Sequence, residues 1–232
     1  MAPQPAVVVR FLRQGDLPAL LELEHAVWEP HQAASAGDMG ARISRHPQLA
    51  IGAFCPRTGR ALASLFAKPA HAEAIKRAGS WQECVNGSGP AKREPTSALF
   101  GISLSSTSAE AAKAIFGFFW PHALKNGWRE MYLGSPVPGL RDWVRDNPGR
   151  HAEDYVFTYR KGQPRDPQLR YYFQKGFRKV IAVRRDYFPH AASLNYGVIL
   201  GGKIPLSALS PLWRLLPLSW LQGMKKWLFV LH

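Results

Sequence analysis

The residues able to do chemistry in this chain are sparse, and their spacing excludes more than it selects. The eight histidines are scattered, with no HxxxH or HExxH pair to place two ligands on one helix face. Asp38, Glu73, Glu83 and Cys84 form no recognisable ligand set, so no metal is expected. Cys55 and Cys84 lie in no CxxC pair, and two cysteines make no disulfide framework. P-loop, GxGxxG and GxSxG motifs are lacking. Among candidate general bases, His122 sits inside a helical run beside Pro121, His25 lies on the first helical run, and Glu24 and Glu29 qualify only if they face a cleft. The stretch Arg160–Arg185 carries nine cations (Arg160, Lys161, Arg165, Arg170, Lys175, Arg178, Lys179, Arg184, Arg185) against one acid, Asp166. Such a run is either a solvated face or a field for phosphates or an acidic carrier protein. Tyr171, Tyr172, Phe173 and Phe177 interleave with it, but no RNP or helix-turn-helix pattern accompanies them, so nucleic acid is not expected.

Composition bounds the class. The 232 residues suit one compact domain, with 46% hydrophobic, 12% aromatic and 20% charged residues, enough apolar material for a core. Thirty Lys+Arg against 16 Asp+Glu give a formal charge of +14, which attracts phosphates, acidic proteins or an anionic membrane surface. The opening MAPQPAVVVRFLRQGD has no basic n-region and too short an apolar run for a signal peptide, and no uninterrupted apolar stretch is long enough to span a bilayer. A cytoplasmic globular protein is expected. The tail 205–232, PLSALSPLWRLLPLSWLQGMKKWLFVLH, holds three of the eight tryptophans, three cations and no acid. Pro211 and Pro217 cut it into short pieces. It reads equally as a peripheral segment on an anionic membrane surface, as a piece docked back on the domain, or as a dimer contact.

Elements follow from apolar spacing. Ala6–Leu12 reads as a strand, Asp16 as N-cap of a helix over Leu17–Trp28, and Gly37–Arg45 as a second helix. Pro56-Arg57-Thr58-Gly59 turns a hairpin, and residues 69–97 read as a short helix followed by an exposed loop. Ala98–Ser106 is a central strand; Thr107 and Ser108 cap a long helix that Gly127 ends and Pro121 should kink or split. Trp128–Leu133 is a strand closed by Gly134-Ser135-Pro136, and residues 138–166 a long loop with one strand at Asp154–Tyr159. A short helix starts at Asp166-Pro167 and stops at Gly176, and strands over Lys179–Tyr187 and Leu194–Leu200 follow. Hairpins mixed with βαβ crossovers imply an α/β mixed sheet. Residues 1–204 are read as the domain and 205–232 as the tail.

That order resembles the GNAT N-acyltransferase superfamily over roughly residues 6–202. VRFLRQGDLPALLELEHAVW is similar to the family's first strand and helix, Leu99–Leu133 to its donor-binding strand–helix–strand, and DPQLRYYFQKGF to its last helix. YFPHAASLNYGVIL resembles a subgroup of stand-alone acyltransferases and polyketide-synthase loading domains. The resemblance implies a GNAT-like, mostly antiparallel sheet of six to seven strands flanked by helices, and acyl transfer from a coenzyme A or phosphopantetheine thioester to an amine or thiol. It implies donor contacts along Ile102, Ser103, Leu104, Ser105 and Ser106, and at Thr107, Ser108, Ala109, Ala111 and Ala112. It casts Tyr172 as the acid for the leaving thiolate, with Tyr171 its rival, and places Trp28, Glu29, Gly134 and Ser135 along the substrate. The sequence departs from the pattern at Glu110, which stands where the family has the first glycine of its pyrophosphate loop. A carboxylate there disfavours coenzyme A in the usual pose, whereas a phosphopantetheine arm on an acyl carrier protein needs less of that cradle. Two alternatives accompany acyl transfer: a long-chain, lipid-associated acyltransferase using the tail, and a catalytically degenerate fold that binds an acidic partner.

Overall fold

The computed structural model describes residues 7–30, 32–87 and 96–228, with side chains as far as 224. Its elements are β1 (Val8–Phe11), α1 (Leu17–Val27), α2 (Ala36–Arg45), β2 (Ala50–Phe54), β3 (Ala61–Ala70), α3 (Ala72–Arg77), α4 (Trp81–Asn86), β4 (Ala98–Ser106), α5 (Ala109–Lys125), β5 (Glu130–Pro136), α6 (Leu140–Asp146), α7 (Ala152–Val156), β6 (Tyr159–Arg160), β7 (Gln163–Pro164), α8 (Pro167–Gln174), β8 (Lys179–Arg184), β9 (Gly197–Lys203), α9 (Ser210–Leu215) and α10 (Leu218–Leu228). Seven strands form one sheet in the order β1-β2-β3-β4-β5-β9-β8, and β6 pairs with β7 alone. The expected mixed α/β sheet, mostly antiparallel, is present. The chain divides into two compact units: residues 1–68, 101–129 and 204–232 make one, and residues 69–100 and 130–203 the other.

In the first unit β1, β2 and β3 form an antiparallel meander, with Ile51 opposite both Phe11 and Leu65. The turn falls at the expected Pro56–Gly59, where Gly59 takes φ +69 and the Cys55 N–H donates to the Arg60 carbonyl. Helix α5 is capped as expected by Ser108, whose Oγ accepts the Ala111 N–H, and buries Ala111, Ile115, Phe119 and Leu124. It runs unbroken through Pro121, against the expectation of a split; one backbone hydrogen bond is forfeited, and burial of Trp120 and Pro121 offsets it. Gly127 ends the run at φ +78, and a Cβ there would meet Arg214 Nη2 at 2.8 Å. Asp16 occupies the N-cap of α1, but its carboxylate makes no cap bond: it accepts from Arg10 (2.6 and 2.7 Å) and from the Arg13 N–H (2.8 Å). The Arg10 guanidinium therefore holds the Asp16 carboxyl below the usual carboxylate range.

The second unit is built on β5, β9 and β8, all antiparallel neighbours. Strand β5 begins later than expected and continues through Gly134-Ser135-Pro136, because these residues pair with Ile199, Val198 and Gly197 of β9. Two glycines make room for one ring. A Cβ on Gly134 would lie 2.5 Å from Tyr187 Cε1, and one on Gly197 would lie 2.3 Å from Tyr187 Cδ1. The fully buried Tyr187 thus lies on the sheet with its hydroxyl 3.4 Å from Cys84 Sγ, beyond β8 rather than inside it. Residues expected as a loop with one strand instead form α6, α7 and the β6–β7 hairpin. Leu140 and Trp143, three residues apart on α6, and the neighbours Tyr155 and Val156 on α7 are buried there. Two short helices, α3 and α4, stand where one was expected, and residues 88–95 of that predicted loop lie outside the described residues.

Candidate active site

In the first unit the end of β4 and the start of α5 carry the expected donor positions. Ile102 and Ser105 are buried, Ser103, Leu104, Ser106 and Ser108 half-buried, and Thr107 and Ala109 exposed. Ser106 Oγ donates to the Ser108 carbonyl (2.7 Å), and the Thr107 N–H donates to Leu62 O (3.0 Å), which fixes the turn into the helix. The first amides of α5 are already engaged. Ala111 N–H goes to Ser108 Oγ and Ala112 N–H to Ser108 O, while their methyl groups point into the core. Exposed Glu110 turns its carboxylate onto its own N–H and accepts the Ser108 hydroxyl (2.9 Å), and both hydrogen bonds hold it below the usual carboxylate range. The negative charge that a helix N-terminus attracts is thus supplied from within the chain.

Ser105 does not offer its hydroxyl to a donor. Its side chain is wholly buried, accepts the Trp28 indole N–H at 2.7 Å and donates to Glu24 Oε2 at 2.6 Å. Glu24 Oε1 in turn accepts the Ala34 N–H (3.1 Å). Trp28 and Ser105 are brought together as one network, with Glu24 as its buried carboxyl. His25 on α1 and Glu29 just beyond its end, by contrast, are exposed. His122 packs against the rings of Phe11 and Phe118 (centroids 4.9 and 4.5 Å). It lines a cleft of about 240 Å³ with His46, Phe119 and Trp128, at the opposite end of α5 from the donor turn.

In the second unit Asp166 organises α8. Its buried carboxylate caps the helix by accepting the Gln168 and Leu169 N–H groups at Oδ1, and its Oδ2 accepts the Gly139 N–H (3.1 Å) and the Tyr155 hydroxyl (3.0 Å). Tyr172 lies two turns on, its ring edge-on to Phe177. Burial pushes its phenol up to about 12, opposed by a hydrogen bond from Gln168 one turn earlier. Its rival Tyr171 is exposed, with Lys175 over the ring at 5.7 Å. Gly134 is covered by Tyr187, and the buried Ser135 hydroxyl donates to Pro136 O (2.8 Å).

One constellation was not recognised in the sequence. The hydroxyl of buried Ser193 accepts the Val137 N–H (2.8 Å), just beyond β5, and lies 2.7 Å from His190 Nδ1. In the neutral tautomer protonated at Nε2, Nδ1 accepts a hydrogen bond from this hydroxyl. Burial and the nearby Arg141 push the His190 pKa down, with Asp166 acting the other way. The available signal was the HAAS spacing within YFPHAASLNYG, which a short 3₁₀ turn closes before left-handed Leu194 and Asn195. Among the described residues no group of three or more His, Cys, Asp and Glu side chains could hold a metal ion.

Likeness to solved structures defines the class at the level of the fold: the chain has the GNAT fold. A GNAT-like decarboxylase, GphF, in complex with isobutyryl-CoA superposes with a TM-score of 0.68 at 22% identity, covering 85% of this chain and 99% of that one. The loading GNATL domain of CurA from Lyngbya majuscula gives 0.70 at 14% identity, over 86% and 98%. A probable acetyltransferase from Staphylococcus epidermidis gives 0.53 at 10% identity, over 85% and 99%. No family model and no curated protein matches the sequence. The expected likeness to loading domains is therefore met at the level of the fold.

Proposed function

We propose that this chain is an acyltransferase that takes an acyl group from a phosphopantetheine thioester and passes it to an amine or thiol by direct attack. The observation that carries the reading is Tyr172, a half-buried phenol, protonated at neutral pH, on a helix that the Asp166 carboxylate anchors at four donors. The acceptor's lone pair forms the new bond to the thioester carbonyl carbon, the C–S bond breaks, and the acceptor's proton leaves to solvent or a base. An ordinary thiol has a pKa of about 8.5, so its thiolate is less basic than a phenolate at about 12. Tyr172 therefore serves best as a hydrogen-bond donor to the departing sulfur. The likeness to a fold that holds isobutyryl-CoA supports a thioester donor.

Glu110 favours a carrier-borne donor over coenzyme A. Its carboxylate occupies the start of α5, where a pyrophosphate would seek amides, and repels one. The exposed cations Arg165, Arg170, Lys175 and Arg178 on and around α8 suit an acidic carrier protein. The test is calorimetric titration with acetyl-, palmitoyl- and free coenzyme A beside an acyl carrier protein. Binding to the carrier supports this reading, micromolar binding to a coenzyme A ester alone moves the donor to coenzyme A, and silence from all of them leaves a binding module for an acidic partner.

A further inference from the structure

The segment after β9 has two faces of opposite character. Inward, Ser207, Ser210, Trp213 and Leu221 are buried. The inner face is pinned by polar hooks: Trp120 Nε1 donates to Pro205 O (2.9 Å), Trp213 Nε1 donates to Leu206 O (2.7 Å), and Lys125 Nζ donates to the carbonyls of Arg214 and Leu216 (both 2.8 Å) at the end of α9. Both α9 and α10 pack on α5. Outward, Leu209 is 47% exposed, Leu212 55%, Trp220 67% and Leu215 82%. Large apolar side chains that a docked segment leaves in water mark a surface awaiting a partner.

We infer that the outer face of α9 and α10 is an interfacial anchor that lies on an anionic phospholipid surface. Charge selects this occupant. The segment from Pro205 onward carries Arg214, Lys225 and Lys226 with no acidic residue, in a chain of formal charge +14. A second copy of the chain would bring these cations against their own like, whereas acidic headgroups neutralise them. Exposed tryptophan and leucine beside cations match the depth profile of a bilayer interface. Among the described residues no helix is long and apolar enough to cross a membrane, so the contact is made in the plane of the surface. The docked inner face means that the segment needs no unfolding to expose its leucines. The inference is independent of the acyl-transfer reading, since it concerns side chains outside the site.

The test is flotation of the full chain with phosphatidylcholine vesicles, alone and with about a third of phosphatidylglycerol. Wild type should float with the anionic vesicles and remain behind with neutral ones. The double variant Leu215→Ser, Trp220→Ser keeps the charge and should weaken partitioning about tenfold or more, with an unchanged melting temperature because both side chains face solvent. Lys225→Gln with Lys226→Gln should shift the binding to lower salt. Equal flotation of the serine variant would reduce the effect to general charge attraction and overturn the proposal. Absence of wild-type flotation overturns it as well, and so does light scattering that finds a dimer broken by the serine variant without any lipid binding.

Discussion

The indole N–H of Trp28, at the end of α1, donates to the hydroxyl of Ser105 on β4, 77 positions later in the chain. The same hydroxyl donates to Glu24, so a single buried oxygen joins helix to strand. Ser105→Ala leaves an indole donor and a buried carboxyl each short of a partner. A loss of about 1–3 kcal/mol in urea unfolding is expected, and Trp28→Phe, which removes only one donor, should cost less. A serine variant within experimental error of wild type would mean that the network bears no load.

Asp166 closes a larger junction. Replacing it with Ala removes the α8 cap and strands the Gly139 N–H and the Tyr155 hydroxyl, at an expected cost of about 2–4 kcal/mol. Asp166→Asn retains part of the acceptor set and should fall between the two. Chemical denaturation of the three proteins gives the order directly.

Tyr172→Phe should lower the rate of thiol release from an acyl-loaded carrier about 10–100-fold while leaving substrate affinity unchanged, since only the hydrogen bond to the departing sulfur is lost. The same phenol has a signature in stability. Unfolded, it titrates at about 10; folded, at about 12. Between these values the unfolded chain has released the proton and the folded chain keeps it, so stability falls as pH rises. Tyr132, likewise pushed up to about 12 by burial and Glu130, adds to the slope. Removing the Tyr172 hydroxyl should flatten the alkaline limb of a melting-temperature profile.

Acid acts through the histidines. His190, His46 and His122 are all held below their ordinary value by burial, so below about 6.5 the unfolded chain gains protons that the folded chain refuses. Stability is full above that pH and declines beneath it. His190→Gln should reduce the decline, and proton NMR of the His190 ring should show a midpoint below that of a free imidazole.

Glu110→Gln tests the donor preference. Removing the charge at the start of α5 should tighten coenzyme A ester binding several-fold in calorimetry and leave carrier binding unaltered. Unchanged affinity for the ester would separate Glu110 from donor choice.

Much of the fold was legible because its signals are local. Ser108, Gly127, Asp166 and Gly176 announce helix ends by their own chemistry, and the apolar run over Ala98–Ser106 is a strand from end to end. What escaped depends on distant partners. Gly134-Ser135-Pro136 looks like a strand ending until β9 supplies Ile199, Val198 and Gly197 to pair with it. Pro121 looks like a breaker until burial offsets its missing bond. The short helices α6 and α7 each offer too few turns for a period to show. Within the site, the Tyr172 helix was readable from Asp166-Pro167. The joining of Ser105 to Trp28, and of His190 through Ser193 to Val137, is set by packing across tens of residues.

The first compact unit is assembled from three separate stretches of chain, the last beginning at Ile204. During synthesis, α5 leaves the ribosome long before α9 and α10, which pack on it and bury Trp213 and Leu221. For that interval the Trp120 indole and the Lys125 amine lack the carbonyls of Pro205, Arg214 and Leu216. The nascent chain therefore carries an apolar helix face open to chaperones until its closing segment emerges, and this unit is completed only after residues 130–203 of the other have been made.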